Sequence, residues 1–188
     1  MAAANTAPAF LEGQDLYLRA LIESDCDGPY LAWFNDAEVC RFNGHHRFPY
    51  TRAAALSYIN QVVSLPDQIV LAMIERQPNR HVGNVALLDL DYINRSAEFA
   101  IVIGERTCWG KGYGKQAAQL LFDHAFRTLD LHRVYCGTSA ENVAMRKLAD
   151  ALGMREEGCR RDAIYKNGKH SDVIEFGVLK SEYLQRFS

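Results

Sequence analysis

The amino-acid sequence predicts an α/β fold, a mostly antiparallel mixed sheet flanked by about four helices. Three apolar runs with strand propensity follow one another between residues 69 and 103, separated by short polar turns, as in an antiparallel meander. Two later segments repeat apolar side chains at helical spacing, and strand-like runs lie between and after them. A meander followed by this alternation is typical of a sheet with helices packed on its faces.

Length and composition are those of one globular domain. The chain has 188 residues, of which 48% are hydrophobic and 23% are charged, and a chain of this size buries a substantial core. Residues 1–10 are rich in alanine and proline, so we expect a disordered tail there. The remaining residues, 11–188, are expected to form a single domain.

Charge and cysteine content disfavour several classes of protein. A formal net charge of −2 lacks the basic excess of a nucleic-acid-binding protein. The five cysteines show no zinc-binding spacing, so we expect reduced thiols and no metal site. No apolar run is long enough to span a membrane, and the amino terminus lacks a basic, apolar leader. We therefore expect a cytoplasmic protein without membrane contact.

The first half of the chain is predicted to begin with a strand at residues 16–19, followed by two helices. Ser24 has the side chain of an N-cap, and the helix that it begins is expected to run to about Phe34. Thr51 is expected to cap the second helix, over residues 52–64. The strands of the meander are predicted at residues 69–75, 82–92 and 99–103.

A long apolar stripe predicts a third helix after the meander. Its side chains recur at helical spacing: Ala118, Leu121, Phe122, Ala125, Phe126 and Leu129. Asn142 is expected to cap a fourth helix, which ends at Gly153, and Asn167-Gly168 marks the turn of a final hairpin. The strands that surround these features are predicted at residues 133–138, 155–163 and 171–179.

A glycine-rich turn joins the last meander strand to the third helix. It reads Trp109-Gly110-Lys111-Gly112-Tyr113-Gly114-Lys115 and opens directly into the helical stripe. The first amides of a helix point outward without partners, the helix dipole adds positive potential, and missing Cβ atoms let an anion approach the backbone. Lys111 and Lys115 add charge at the same place, so we interpret the turn as a pyrophosphate site. Neither the Walker nor the Rossmann spacing is present.

The turn resembles the signature of the GNAT superfamily of acetyl-CoA-dependent N-acetyltransferases, Q/R-x-x-G-x-G/A, with Trp109 in place of the Gln or Arg. The run Trp-Gly-Lys-Gly-Tyr resembles the RimJ/RimL-type branch, and the resemblance extends over residues 16–183. Residues 94–99 and the Asn-Gly-x-x-x-Asp-Val segment at 167–173 are similar to spermidine acetyltransferases. The resemblance implies the GNAT fold and acetyl transfer from acetyl-CoA to a primary amine, which attacks directly in a ternary complex.

Amine acetylation at neutral pH requires a base that takes or relays the proton of the amine. Glu98 is the candidate, because it lies in the strand before the glycine turn, and alternation places it on one face with Ala100 and Val102. In relatives, a carboxylate near this strand often acts directly or through water. A salt bridge to Arg95 or Arg106 is the alternative role for Glu98.

The departing thiolate also needs a proton, and here the sequence differs from its relatives. Ala149 stands where many family members have Tyr, and Met145 stands where RimL-like enzymes have Ser. Both usual donors are therefore absent, and Tyr135 or water is left as the candidate acid.

The resemblance also implies the residues that hold acetyl-CoA. A backbone amide among Ile101 to Ile103 would bind the oxyanion where two strands splay apart, a feature that sequence spacing alone does not show. Asn142 matches the position whose side-chain amide bonds the pantetheine arm, although its residue type also suits a helix N-cap. The candidate acetyl-CoA ligands are Ile101, Val102, Ile103, Trp109, Gly110, Lys111, Gly112, Tyr113, Gly114, Lys115 and Asn142.

The amine acceptor is expected between the helix 1–helix 2 connection and the last hairpin. Candidate contacts are the basic and aromatic side chains His45, His46, Arg47, Phe48, Tyr50 and Tyr165. Their alternative role is only to pack the loop. Because a polyamine favours carboxylates, we expect instead a protein N-terminus or an amino group on a small anionic molecule such as a sugar nucleotide.

Two alternative functions stay open on the sequence alone. One is polyamine acetylation, for which the local similarity to spermidine acetyltransferases speaks. The other, of a different class, is a protein that binds acetyl-CoA without catalysing transfer, because the usual acids are absent. A homodimer joined through edge strands is compatible with either function.

Overall fold

The computed structural model describes residues 7–187, which form one eight-stranded sheet and five α-helices. The strands are β1 (Leu11–Glu12), β2 (Leu16–Ala20), β3 (Ile69–Glu75), β4 (Arg80–Asp91), β5 (Ser96–Ile103), β6 (Arg133–Ser139), β7 (Arg155–Lys166) and β8 (Lys169–Leu179). The helices are α1 (Tyr30–Phe34), α2 (Arg52–Val62), α3 (Tyr113–Asp123), α4 (Val143–Ala151) and α5 (Lys180–Arg186). The strand order is β1-β2-β3-β4-β5-β6-β8-β7, and neighbours are antiparallel except β5 and β6, which are parallel.

The architecture confirms the predicted mixed α/β fold with its mostly antiparallel sheet. The meander is formed by β3, β4 and β5, and the predicted strand at 69–75 has the observed bounds. Thr51 caps α2, since its side chain accepts a hydrogen bond from the amide of Ala54 at 3.2 Å. Gly153 follows α4 with a φ of 79°, the left-handed conformation that commonly ends a helix.

The predicted first helix is wrong in its first half. Glu23–Asp27 is a 3₁₀ turn, and α1 begins only at Tyr30. Pro29 lacks an N–H and disfavours a helical conformation at Gly28, so the two segments cannot form one helix. The N-cap prediction for Ser24 is also wrong, because Ser24 lies inside this turn and Ile22 is the residue that caps it. The carboxylate of Asp25 accepts the amide of Ile22 at 2.9 Å.

Both ends of the chain add details that the sequence analysis did not contain. Lys180–Arg186 forms α5, an additional helix, whose Tyr183 is buried and packs on Phe126 at a centroid distance of 5.0 Å. Of the predicted tail, residues 1–6 lie outside the described residues. Phe10 is held by its amide, which donates to the carbonyl of Leu18 at 2.7 Å.

Each face of the sheet has its own core. One core joins α3, α4 and α5 to apolar side chains that include Leu18, Leu87 and Phe99. The other core joins α1 and α2 to the opposite face of β2, β3, β4 and β5. Successive side chains of a strand point to opposite faces, so Phe99 contacts the α3 side whereas Ala100 and Val102 contact the α1–α2 side.

The parallel contact between β5 and β6 is short. The two strands are paired at three positions, Ser96 with Arg133, Ala97 with Val134, and Glu98 with Tyr135. Beyond Glu98, β5 continues to Ile103 and β6 continues to Ser139 without pairing to each other. We call the space between these two unpaired segments the β5–β6 gap, and it is the splay that the family resemblance implied.

Candidate active site

The glycine turn at residues 109–115 has an open backbone surface. Gly110 and Gly112 have φ angles of 77° and 83°, which only glycine adopts at low cost. An added Cβ at either position would have no atom within 4 Å, so the space in front of the turn is open. Gly112 is the N-cap of α3 and provides no side-chain acceptor for the first helical amides. These amides are therefore available to an anion.

The turn is anchored from below by a residue that the sequence analysis missed. The buried carboxylate of Glu75 accepts a hydrogen bond from the hydroxyl of Tyr113 at 2.7 Å and from Arg80 at 2.8 Å, and the ammonium of Lys111 lies 3.8 Å away. The hydrogen bond from Tyr113 is the main cause that lowers the pKa of Glu75, and the pKa of Tyr113 is raised to about 12. A charged residue that ends the apolar strand β3 was the signal for this role.

The other predicted cofactor ligands converge on the end of β5. The indole of Trp109 donates to the carbonyl of Ile103 at 2.8 Å. Gly114 faces the side chains of Ile101, Ile103 and Leu148, since a Cβ there would meet them at 3.8, 3.3 and 3.9 Å. The glycine turn, the end of β5 and Leu148 of α4 therefore border the same space. Lys115 is exposed at its edge.

The backbone of β5 presents polar groups to the β5–β6 gap. The amide of Gly104 donates to Val82 of β4 at 3.0 Å. Because neighbouring residues of a strand direct their amides to opposite edges, the amides of Ile101 and Ile103 point away from β4 and into the gap. Val102 has its amide on the β4 side. Within the predicted oxyanion segment, Ile101 and Ile103 thus direct their amides into the gap, and their contact with an oxyanion stays a prediction.

Asn142 occupies the N-cap of α4. Its side-chain oxygen accepts from the amide of Met145 at 3.2 Å, and its side-chain nitrogen donates to the hydroxyl of Thr138 at 3.0 Å. The N-cap role that its residue type suggested is therefore observed. A bond from Asn142 to the pantetheine arm stays a prediction. Ala149 is buried in the core, so nothing at that position replaces the Tyr of relatives.

Glu98 and Tyr135 are neighbours across the parallel β5–β6 contact. Burial, and then the negative charge of Asp89, raise the pKa of Glu98. Neither predicted salt bridge forms, because Arg95 pairs with Asp130 and Arg106 pairs with Asp36. Within residues 7–187, no side chain or amide is hydrogen-bonded or ion-paired to the Glu98 carboxylate.

Tyr135 is paired with Glu98 across the β5–β6 contact, and its hydroxyl is a weak acid. Burial, and then the charge of Glu98, raise the pKa of the Tyr135 hydroxyl, so it carries its proton at neutral pH. The guanidinium of Arg133 lies 5.8 Å from the centre of its ring. Its role as proton donor stays a prediction.

The predicted acceptor residues do come together at the helix 1–helix 2 connection and the last hairpin. Arg47 donates to the carbonyl of Tyr165 at 3.1 Å, which joins the two elements directly. Lys166, which the sequence analysis missed, inserts its ammonium among the carbonyls of Cys40, Asn43 and His45. Burial lowers the pKa of Lys166. The β7–β8 hairpin is thereby fixed to the connection between α1 and α2.

Two of the predicted acceptor residues, His45 and Tyr50, contact neighbouring aromatic side chains. His45 packs on Phe34 at a centroid distance of 4.4 Å, and burial, followed by the charge of Lys166, lowers its pKa. Tyr50 is half-buried, with its hydroxyl 3.5 Å from that of Tyr30. Apart from Tyr50, the predicted acceptor residues are all exposed: His45, His46, Arg47, Phe48 and Tyr165.

A glycine turn with free helical amides, a splayed pair of strands and a carboxylate beside the splay together have the chemistry to hold an extended anionic ligand next to a basic group. The Acetyltransferase (GNAT) domain family matches residues 15–155. The chain belongs to this family of acetyltransferases, whose co-substrate is acetyl-CoA.

Individual relatives agree with this assignment. The chain is 33% identical over 114 residues to the spermidine N(1)-acetyltransferase of Vibrio cholerae. This aligned region is 61% of this chain and 65% of that enzyme, which is less than two thirds of the enzyme's length. It is 30% identical over 172 residues to the uncharacterized N-acetyltransferase p20 of Bacillus licheniformis, which covers 89% of this chain and 94% of that one. The crystal structure of spermidine N-acetyltransferase from Vibrio cholerae in complex with CoA and spermine has a TM-score of 0.81 at 27% identity, covering 90% of this chain and 98% of that chain.

No helix within residues 7–187 is long and apolar enough to cross a membrane. In the same residues, no group of three or more His, Cys, Asp or Glu side chains is arranged to hold a metal ion.

Proposed function

We propose that this acetyltransferase acts by direct attack of a primary amine on acetyl-CoA in a ternary complex, with Glu98 as the general base. The observation that carries the proposal is the position of Glu98. Its carboxylate has no bonded partner within the described residues, and it lies where the paired part of β5 and β6 ends and the β5–β6 gap begins. A burial-raised pKa brings a carboxylate closer to the basicity that proton transfer at neutral pH requires.

The residues present fit acetyl-CoA, which supplies the activated acetyl group as a thioester. The glycine turn offers the free amides of α3 to the pyrophosphate, and the β5–β6 gap offers backbone polar groups to an extended amide-bearing arm. The amides of Ile101 and Ile103 are the proposed donors to the oxyanion formed when the amine attacks. Glu98 takes a proton from the amine, directly or through water, and Tyr135 or water returns one to the sulfur.

The proposed acceptor is a cationic amine of the polyamine type. Asp89 and Glu175 raise the pKa of Glu98 by their charge, whereas Arg160, which is ion-paired to Glu175 at 2.8 Å, lowers it. Carboxylates therefore outnumber cations around the base, which favours a protonated amine. Of the basic side chains that suggested an anionic acceptor, Arg47 is bonded to the carbonyl of Tyr165, and burial lowers the pKa of His45. The spermidine acetyltransferases among the relatives support the same choice.

A protein N-terminus is the second candidate acceptor. Phe48 is 84% exposed and Tyr165 is 57% exposed, and both belong to the joined loop and hairpin. Large exposed aromatic side chains of this kind suit the apolar side chains of a peptide. The two candidates differ in what must accompany the amine, further positive charge or a peptide.

The proposal is tested first by binding and then by turnover. Acetyl-CoA, desulfo-CoA, ATP and NAD are titrated into the protein while its melting temperature is followed. A ligand at 100 times its dissociation constant stabilises by about 2.7 kcal/mol, so we expect a clear rise with the two CoA compounds only. CoA release is then measured with polyamines, peptides and amino sugars as acceptors. The absence of turnover with any amine, despite binding, would favour a non-catalytic acetyl-CoA-binding protein.

Glu98→Gln tests the base. We expect kcat to fall about 100-fold or more, with acetyl-CoA binding unchanged. Glu12→Gln is the matched control, because Glu12 is an exposed carboxylate at the far edge of the sheet, paired with Arg76. Equal turnover in the two variants would remove Glu98 from the mechanism.

A further inference from the structure

Trp109 stands where the family signature has Gln or Arg, and its side chain makes a specific bond. The indole N–H donates to the carbonyl of Ile103 at 2.8 Å, although the ring is 42% exposed. Trp, Gln and Arg differ in size, shape and charge. What their side chains share is an N–H donor. The structure shows where this donor goes in the present chain.

The carbonyl that receives the bond lies on an open strand edge. Ile103 is the last residue of β5, and its polar groups point away from β4, because the neighbouring Gly104 donates to Val82. On the opposite side, β6 has stopped pairing at Glu98. A half-buried carbonyl at such an edge requires a donor from outside the sheet. Trp109 supplies that donor.

The bond closes a short loop between the strand and the glycine turn. The chain reverses through the 3₁₀ turn Arg106–Cys108, in which the amide of Trp109 donates to Arg106 at 3.1 Å. The side chain of Trp109 then returns to the strand end. Gly110 and Gly112 follow with no neighbouring atom near their Cβ positions, so local packing does not hold them. The turn is tethered at its start by Trp109 and at its end by Tyr113, which is bonded to Glu75.

We infer that Trp109 is a positioning residue for the anion site: its indole N–H holds the glycine turn against the end of β5. The inference rests on the acetyl-CoA site proposed above. Without the bond, the turn visits conformations in which its amides diverge. The apparent dissociation constant of the ligand then rises in inverse proportion to the fraction of molecules whose turn is in the binding conformation. In this inference the indole ring contributes to CoA binding only by placing the N–H donor.

Two substitutions separate the donor from the ring. Trp109→Phe keeps an aromatic ring and removes the N–H, whereas Trp109→Gln removes the ring and keeps an N–H donor. The dissociation constant of CoA is measured by calorimetry for both variants and the wild type. Since a typical net hydrogen bond changes an equilibrium by about 5-fold, we expect Trp109→Phe to bind CoA about 5-fold more weakly and Trp109→Gln to bind within about 2-fold of wild type.

Tyr92→Phe is the matched control. Tyr92 is also an exposed aromatic residue whose side chain donates to a carbonyl, that of Pro66, but it lies at the opposite end of β4 from the glycine turn. We expect its CoA affinity to equal that of wild type. Melting temperatures without CoA verify that every variant is folded.

The outcomes are distinct. If Trp109→Phe binds CoA as wild type does, or if Trp109→Gln binds as weakly as Trp109→Phe, the N–H is not the positioning element and the inference is overturned. If the folded wild type does not bind CoA, the proposed function fails and this inference fails with it. The predicted order of affinities, wild type close to Trp109→Gln and both above Trp109→Phe, supports it.

Discussion

Gly104→Ala is the substitution whose effect follows most directly from the structure. Gly104 is buried at the end of β5, and the indole of Trp33 in α1 lies flat against it. A Cβ at this position would lie 1.9 Å from Cδ2, 2.2 Å from Cγ and 2.4 Å from Cε3 of Trp33. The indole would therefore have to move by more than an ångström. Its surroundings resist this, because His81 packs edge-on against it at 4.9 Å and Tyr30 lies at 6.1 Å.

The magnitude follows from the cost of overpacking a core. Such insertions cost about 1–3 kcal/mol, and a clash with a rigid indole belongs at the upper end, so we expect a loss of about 3 kcal/mol. With a urea m-value of about 2 kcal/mol per M, the unfolding midpoint should fall by about 1.5 M. Urea denaturation followed by far-UV circular dichroism measures this shift.

Two further variants make the test specific. Gly44→Ala is the control, since a Cβ there meets no atom within 4 Å, and we expect its stability to stay within about 0.5 kcal/mol of wild type. Trp33→Leu removes the clashing ring, so the loss in the double variant with Gly104→Ala should be smaller than the sum of the single losses by about 1 kcal/mol or more. If Gly104→Ala is as stable as Gly44→Ala, or if the losses simply add, the reasoning from this contact is refuted.

Two predictions concern titrating groups. Burial and Asp89 raise the pKa of Glu98 above its ordinary value of 4.5, which destabilises the fold as pH rises through that pKa; Glu98→Gln should therefore raise the melting temperature at pH 7 more than at pH 4. An equal change at both pH values, or an NMR-measured pKa at or below 4.5, would contradict this. Burial alone would raise the pKa of Asp25, but the two hydrogen bonds from Arg19, together with the imidazole of His81 at 3.4 Å, lower it below its ordinary value of 3.8. Its stabilising effect is present above that value and is lost as pH falls. Arg19→Met should cost about 3–5 kcal/mol at pH 7 in urea denaturation, and this difference from wild type should shrink in acid; a constant difference would argue against the pairing.

Much of the fold was predictable because it depends on local patterns. The meander, α2 and α4 follow from apolar periodicity and from the caps Thr51 and Asn142, which act within a few residues. The break before α1 was also readable, since Gly28-Pro29 stands inside the predicted helix. The helix α5 was missed because a seven-residue segment with one buried side chain, Tyr183, gives little periodic signal.

The site was less predictable because its contacts are remote in sequence. Lys166 binds carbonyls more than 120 residues away, among them those of Cys40 and Asn43, and no spacing rule links such positions. The basic residues near the acceptor loop suggested an anionic acceptor, but the sequence does not show that Arg47 is bonded within the protein. The pairing length between β5 and β6 is likewise a tertiary property.

The brevity of the β5–β6 contact has a mechanical consequence. Three residue pairs join a five-stranded ladder, β1 to β5, to a three-stranded ladder formed by β6, β8 and β7. The sheet is therefore two antiparallel ribbons that meet along a seam about 10 Å long. Slight rotation of one ribbon against the other breaks few backbone hydrogen bonds between strands, so these bonds restrict the width of the gap only weakly. A ligand that lies in the β5–β6 gap and bonds to both strands would join the two ribbons into one continuous sheet.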